Sequence, residues 1–444
     1  MKFLKEISFS LIIQAISLLV TVINKFAFAK VLDSNGFGLY NLLIILPLLL
    51  SLLFNLGLGH SISYHISKKI VNNNFAYYFV ITYTVSISPL IICLSFFILN
   101  LIYSDLPNIL LFFSLLTVPF LLLNYFLSFI FLGNDKSSYY FIFNNLPVII
   151  TTVFLLVLLF ILDDVNLIIS INLYFLGQFL TSIIMIITVH NKLLKSSESY
   201  YKGFLVCLKN DLVKDIFSFG IKMYFASIMN FLNYRLDTLL IGKLLPLKLL
   251  GNYNLAVNFA DSFGKISQTI SLLVYSKLPR LAENDKKVMV NLIIKLNLIL
   301  LVIGSLVMFL IGDKIIYLIG TDYSYAYIAF LLLVPGMFFI ALFRIIYHVV
   351  SVEYNANWGM YATFFSLIST IALDLILIPV YGIYGASVAS SLSYSVSFLF
   401  IYIYYIKQTN SNFFSIFLIS KREKDTIKRL ALNLIKRGQN TCSR

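Results

Sequence analysis

Ala29-Lys30-Val31-Leu32, then five residues, then Gly38-Leu39-Tyr40-Asn41-Leu42: at an offset of 213 the pattern returns as Gly242-Lys243-Leu244-Leu245, five residues, then Gly251-Asn252-Tyr253-Asn254-Leu255. A second pair, Ile150-Thr151-Thr152 and Ile368-Ser369-Thr370, matches at an offset of 218. Two matches at nearly one offset in a chain of 444 residues describe a unit used twice. Composition says what the unit is made of. Hydrophobic residues make up 60% of the chain and charged residues 12%, with a mean hydropathy of +0.93, against roughly 25% charged residues in ordinary globular domains. Apolar stretches of about twenty residues, each able to cross a ~30 Å hydrocarbon core as a helix, recur along the whole length. A soluble enzyme is excluded, and the expected fold is an all-α integral membrane protein.

Reading apolar runs between polar breaks gives twelve transmembrane helices, near residues 7–29, 39–59, 76–103, 109–132, 139–162, 167–189, 216–241, 253–277, 288–311, 325–350, 359–379 and 383–406. Six helices per repeat is an even number, so both repeats share one orientation, and two pseudo-symmetric six-helix bundles are expected around a central cavity. The N-terminal bundle is residues 1–189, a basic cytoplasmic linker 190–215, the C-terminal bundle 216–408, and a basic amphipathic cytoplasmic tail 409–444. The first segment has a basic start and an Ala27-Phe28-Ala29 sequence like a signal-peptide cleavage site. Its apolar core exceeds the ~15 residues usual in a signal, and the repeat gives it a counterpart, so it reads as a retained helix. With both termini in the cytoplasm, most of the 33 Lys and Arg residues fall inside, and Lys30, Lys243, Lys248 and Lys314 fall outside. The net charge of +14 then faces anionic lipid, and a nucleic-acid partner is unnecessary. Cys93, Cys207 and Cys442 offer neither a disulfide framework nor metal-ligand spacing. No catalytic residue, metal site or cofactor is expected.

Three further stretches carry a family resemblance. Leu232-Asn233-Tyr234-Arg235-Leu236-Asp237, followed by Leu240-Ile241-Gly242, Leu250-Gly251 and Tyr253, resembles the start of the second half in bacterial polysaccharide flippases. Leu377-Ile378-Pro379-Val380-Tyr381-Gly382-Ile383-Tyr384-Gly385-Ala386 resembles their penultimate helix turn, and Gly36-Phe37-Gly38-Leu39-Tyr40 their first external turn. These are flippases of the O-antigen and capsule type, in the superfamily that also holds MATE drug exporters and lipid II flippases. The resemblance implies a transporter in the bacterial cytoplasmic membrane that moves a polyprenyl-pyrophosphate-linked oligosaccharide from the inner to the outer leaflet. It further implies an ion gradient as the driving force, and membrane lipids and other polysaccharide-assembly proteins as partners. A MATE-like drug/cation antiporter on the same fold stays open as an alternative, as does a membrane glycosyltransferase or polymerase. The first would be expected to have an anionic interior; the second needs clustered acids or a sizeable external loop.

Nine ionisable residues lie within the expected helices: Lys25, Lys222, Arg235, Asp237, Asp261, Lys265, Lys295, Arg344 and Asp374. Each costs ~2.5–3.5 kcal/mol at a helix centre on the insertion scale, so each needs a cavity, a partner or an escape to the interface. Their sum is positive, which suits a pyrophosphate. Arg235, Lys25 and Lys265 are the leading phosphate-binding candidates, with Lys222 and Arg344 behind them. Lys295 is near enough to its helix end to snorkel. Asp261 precedes Lys265 by four residues, which favours an ion pair along one helix. Arg235 and Asp237, two apart, point in different directions. Asp374 either neutralises a cation such as Arg235 or takes up a coupling proton or sodium ion. Pro47, Pro89, Pro119, Pro147 and Pro335 fall inside helices as potential kinks.

Overall fold

The computed structural model describes residues 2–104, 106–162, 165–194, 211–277, 283–355, 357–409 and 412–413. Most of the linker and the tail, with Cys207 and Cys442, lies outside the described residues. The N-terminal half comprises α1 (Lys2–Val31), α2 (Ser34–Phe54), α3 (Leu58–Ser67), α4 (Asn73–Ile102), α5 (Asn108–Leu115), α6 (Val118–Gly133), α7 (Ser137–Ile161) and α8 (Leu167–Leu193). The C-terminal half comprises α9 (Asp211–Leu244), α10 (Leu247–Lys277), α11 (Glu283–Ile319), α12 (Ala326–Glu353) and α13 (Asn357–Thr409). Helices α5 and α6 form one crossing, α3 is a short helix between crossings, and the 53-residue α13 folds back at Gly382 to cross twice. Six crossings per half result. Among the described residues, nine helical segments are apolar and long enough to span a bilayer by composition alone. The crossings α9 and α10 are not among them, because they carry the charged residues that build the site.

Outward faces are apolar: Phe160 is 92% exposed and Leu101 83%. Exposure of that kind on successive helices fits hydrocarbon, not water. Inside, the fold departs from expectation at two turns. Helix α2 starts at Ser34, five residues before the expected boundary, because the Asp33 carboxylate accepts a hydrogen bond from the Gly36 amide at 2.6 Å and caps the helix. Gly36-Phe37-Gly38 therefore belongs to the first turns of α2 and is not the connecting turn. Pro119 is not a mid-helix kink either. The crossing breaks between α5 and α6, and Pro119 takes a first-turn position where no amide hydrogen is needed. Pro47, Pro89, Pro147 and Pro335 do lie inside helices. At the α13 fold, Gly382 supplies φ of 59°, a conformation other residues adopt at a cost, three residues after Pro379.

The halves meet where α2 crosses α10. A Cβ added at Gly38 would lie 2.2 Å from the Leu247 carbonyl oxygen, and one at Gly251 would lie 1.9 Å from that of Ser34. Gly38 and Gly251 correspond under the repeat, and so do Ser34 and Leu247. The contact is thus reciprocal, as a two-fold relation between the halves requires, and only hydrogen side chains let the two backbones approach so closely. At the same end, the Tyr323 hydroxyl donates to the carbonyls of Ala29 (2.7 Å) and Leu32 (2.9 Å), tying the C-terminal half to the end of α1. At the opposite end, Gly57 at φ 68° lies against Gly220, and the Tyr224 hydroxyl donates to the Leu53 carbonyl at 2.8 Å.

Candidate functional site

The first two crossings of each repeat, α1 with α2 and α9 with α10, enclose a cavity of about 180 Å³ between the halves. Lys25 enters it from α1, Arg235 from α9 and Lys265 from α10, beside one carboxylate, Asp261. Arg235 Nη2 donates to Asp261 Oδ2 at 2.8 Å, with the two side chains 31% and 40% exposed. The pair therefore stands in open cavity and remains reachable by a ligand. Lys25 Nζ donates to Asn41 Oδ1 at 3.4 Å, while the Asn41 amide nitrogen donates to the Phe37 carbonyl at 2.7 Å and so turns the oxygen toward the ammonium. Asn254, the repeat counterpart of Asn41, also lines the cavity, as does Asn258. Their Nδ2 atoms are buried without a hydrogen-bond partner. Asn254, Asn258, Asp261 and Lys265 recur every three or four residues, so one face of α10 presents them all. Three cations, two idle amide donors and a single acid suit an anion with several acceptor oxygens.

The other ionisable residues lie elsewhere. Asp261 lies within electrostatic range of Lys265 on its own helix, as the four-residue spacing suggested, and the Arg235 guanidinium also reaches it from α9 across the cavity. Arg235 does not neutralise Asp374. Two residues along α9, Asp237 faces the interior of the C-terminal bundle and accepts hydrogen bonds from the Thr238 amide (2.6 Å), Ser390 Oγ (3.1 Å) and the Tyr253 hydroxyl. Asp374, on the first arm of α13, is fully buried within electrostatic range of Asp237, and neither of its oxygens has a hydrogen-bond partner. Arg344 lies on the far side of α9 and α10, with Nη1 donating to the Gly264 carbonyl at 2.6 Å and Nη2 to the Tyr234 hydroxyl at 3.4 Å. Lys222 belongs to α9, and its side chain is outside the described residues. Lys295 is buried at 8% exposure within the protein.

Asn41, Asn254 and Asn258 were missed as site residues although two of them sit in the repeat that defined the halves. There they served to align the repeats. The signal that would have found them is the run of polar residues on one face of an otherwise apolar crossing. Tyr253 and Ser390 gave no such signal, since only packing brings them to Asp237.

The sequence matches the family described as polysaccharide biosynthesis protein over residues 3–283. No curated protein matches it. Among solved structures, the lipid II flippase MurJ in its inward closed conformation is similar with a TM-score of 0.68, covering 96% of this chain and 93% of that one at 17% identity. An inward-facing multidrug resistance MATE family transporter of the MOP superfamily gives 0.68, over 90% and 100% of the two chains at 10% identity. A MOP superfamily transporter from Pyrococcus furiosus, described by the reverse polarity of its binding pocket, gives 0.57 over 92% and 97% at 11% identity. Identities this low speak for the fold alone. The family match covers more than half of the chain and the duplicated twelve-crossing fold agrees with it, so this multi-pass membrane protein belongs to the polysaccharide biosynthesis protein family, on the fold of the MOP superfamily transporters.

Proposed function

We propose that the protein is a flippase for polyprenyl-pyrophosphate-linked oligosaccharide, carrying it from the inner to the outer leaflet of the cytoplasmic membrane for cell-surface polysaccharide biosynthesis. The observation that carries this reading is the cavity between the halves, where cations from both halves surround one acid. A pyrophosphate brings two negative groups rich in acceptor oxygens. It competes with Asp261 for Arg235, whose planar fork binds a phosphate bidentately, and it gives the Asn254 and Asn258 amides the acceptors they lack. A drug-cation antiporter on this fold would place acids in that position.

Transport then follows from the two ends of the cavity. With both termini cytoplasmic, the Gly38 and Gly251 crossing and the Tyr323 hydrogen bonds close the outer end. Alternating access requires these contacts to open while the α3 and α9 contacts at the inner end tighten. In this reading the buried acids Asp237 and Asp374, within electrostatic range of each other in the C-terminal bundle, supply the coupling by taking up a proton or a sodium ion. Other polysaccharide-assembly proteins would deliver and consume the lipid-linked glycan on the two faces.

The test is to remove the protein and identify by mass spectrometry the lipid-linked saccharide that accumulates in the inner leaflet. Unchanged lipid pools together with increased drug sensitivity would sink the flippase reading in favour of an antiporter. Sugar incorporation by the purified protein without translocation would favour a glycosyltransferase. Orientation is checked separately: Cys207 and Cys442 should resist an impermeant thiol reagent in intact cells.

A further inference from the structure

A second cavity, of about 300 Å³, lies inside the C-terminal bundle between α9, α10, α12 and α13. Its volume is at the lower end of small-ligand sites. Nothing in the transport scheme above uses it. Its walls combine two kinds of surface. Tyr234, Phe343 and Tyr347 are aromatic, and Tyr347 packs flush against the bare backbone of Gly359, where a Cβ would come within 2.1 Å of the ring. Between them stand hydrogen-bonding groups: Arg344, His348, Asn230 and Gln268. Among the described lining residues there is no carboxylate.

Arg344 is held in position by this architecture. Gly264 leaves room for the guanidinium, 3.1 Å from where a Cβ would sit, and its carbonyl accepts from Nη1. The guanidinium carbon lies 5.6 Å from the centre of the Tyr234 ring. A guanidinium has five N–H donors, and the Gly264 and Tyr234 contacts use two of them. Aromatic faces suit the C–H faces of a pyranose ring, and planar amide and guanidinium groups suit its edge. A neutral sugar site would be expected to offer acceptors for the sugar hydroxyls. Here the Asn230 and Gln268 amides offer oxygens for such hydroxyls as well as N–H donors. The Arg344 guanidinium adds a charged donor with no carboxylate beside it among the described lining residues, which a sugar carboxylate satisfies.

We infer that this cavity, walled by Tyr234, Phe343, Arg344, Tyr347 and His348, is a subsite for a carboxylate-bearing sugar of the transported glycan. The inference rests on the flippase reading, and it assigns the sugar to a place separate from the pyrophosphate. The two sites adjoin. Tyr234 faces the sugar subsite and Arg235 the pyrophosphate cavity, and a small space of about 40 Å³ bordered by Tyr234, Asp261, Gly264 and Arg344 lies between them. Pyrophosphate and the sugars attached to it adjoin in the same way in a lipid-linked glycan.

The chain has one tryptophan, Trp358, directly before Gly359 and stacked on Tyr404 with ring centres 4.5 Å apart. Its emission reports on the wall that Tyr347 and Gly359 form. The full chain in lipid nanodiscs is titrated with a uronic-acid oligosaccharide and with the same oligosaccharide after reduction of its carboxyl groups. The acidic glycan should change Trp358 emission saturably and bind at least about tenfold more tightly than the reduced one, the difference a charged hydrogen bond confers. Arg344→Gln should erase the preference. Because Arg344 also holds the Gly264 carbonyl, Gln268→Ala serves as a second variant that leaves those contacts alone, and it should weaken both glycans. Equal responses to the two glycans, or an equal response to inorganic sulfate, overturn the assignment. Binding of sugar-free polyprenyl pyrophosphate, followed by native mass spectrometry, separates the two readings. It should persist in Arg344→Gln. If the carrier binds and neither glycan moves Trp358, the sugar subsite fails alone; if the wild-type protein binds neither, the flippase reading fails with it.

Discussion

The two halves of this protein have one plan and different interiors. In the N-terminal half, buried polar contacts are made by neutral groups: the Asn24 amide donates to the hydroxyls of Thr151 and Thr152, and Asn124 is bonded to Gln178 and Ser182. In the C-terminal half the corresponding region adds ionisable groups to neutral contacts such as those of Asn233 with Ser366 and Thr370. Under the offset of 213 that aligns the repeats, Asn24 corresponds to Asp237, which is 4% exposed and held by Tyr253 and Ser390. Asp374, Arg344 and the Arg235–Asp261 pair belong to the C-terminal half as well. Duplication has kept the shape, down to the reciprocal glycine contact, and has not kept the charge. Each buried charge carries a cost that neutral amides avoid, and most of these ionisable groups among the described residues belong to one half. The N-terminal half contributes a scaffold and one cation, Lys25.

The strongest way to break this comparison is to strike what the halves share. Gly251→Ala places a methyl group 1.9 Å from the Ser34 carbonyl oxygen, and Gly38→Ala places one 2.2 Å from that of Leu247. Backbone cannot yield as a flexible side chain does, so either substitution should force α2 and α10 apart at the end where Tyr323 meets α1, at an overpacking cost of about 1–3 kcal/mol or more. Transport should be lost in both. In a background lacking the native cysteines, Asn41→Cys should become reactive to an impermeant thiol reagent from outside. Equivalent effects from the two glycines would show that the two-fold contact seals that end of the cavity. An effect from only one would show that the seal is asymmetric.

Next in size is the removal of Arg235. Transport per molecule should fall by roughly 30-fold or more in Arg235→Ala, the range expected when one partner of a close charge pair is truncated. Arg235→Lys should fall less, because charge is kept and the bidentate fork is lost. Some of the alanine effect comes from leaving Asp261 without its cation. Arg235→Ala with Asp261→Ala should restore membrane abundance and leave transport low, whereas Arg235→Ala with Asp374→Ala should restore neither. Normal per-molecule transport in Arg235→Ala would remove it from the substrate site.

What could be read from sequence follows the same division between shape and charge. Ten crossings were legible from hydrophobic length alone, α9 and α10 as weaker apolar runs interrupted by the charges they carry, and the halves because a short string recurred. The start of α2 was misread: Gly36-Phe37-Gly38 has the composition of a turn, and only the Asp33 cap shows that the helix has already begun. The charges were found as residues, and their partners on other helices were not. Spacing along one helix reveals Asp261 beside Lys265 and says nothing of Arg235, which arrives from another crossing. Arg344 was grouped with the cavity cations for the same reason, since depth in the bilayer was visible in sequence and the side of the helix pair was not.

A third test exchanges the chemistry of the halves at their corresponding positions. Asp237→Asn gives the C-terminal half the residue of the N-terminal one. Its remaining carbonyl oxygen still accepts from Tyr253 and Ser390 while the Thr238 amide loses its acceptor, so membrane abundance should fall modestly. Gradient-driven transport per molecule should fall by roughly 10-fold or more, as for a lost charge-assisted contact of about 1.5–3 kcal/mol. The reverse exchange, Asn24→Asp, removes the two amide hydrogen bonds to Thr151 and Thr152 and introduces a charge costing about 2.5–3.5 kcal/mol on the insertion scale. Lower abundance is expected there, with no gain in transport. Intact transport in Asp237→Asn would separate this carboxylate from coupling.

The smallest expected effect comes from the two asparagines at the same repeat position. Asn41 is satisfied on both sides, its amide nitrogen on the Phe37 carbonyl and its oxygen on Lys25, whereas the buried Asn254 nitrogen has no partner. Asn41→Ala removes a working contact and leaves the Lys25 ammonium without its oxygen, so thermal stability in detergent should fall by about 1–3 kcal/mol. Asn254→Ala removes a buried donor that has no partner within the protein, so stability should hold or rise by up to about 1 kcal/mol. The order reverses for the ligand. If the idle donor waits for a phosphate oxygen, Asn254→Ala should weaken binding of polyprenyl pyrophosphate by roughly 5- to 10-fold, within the worth of one ordinary hydrogen bond. A variant that is more stable and binds less well is the signature of a site residue, because a structural residue loses both together. Unchanged carrier affinity in Asn254→Ala would instead make Asn254 a leftover of duplication, kept in register with Asn41 and without a part in transport.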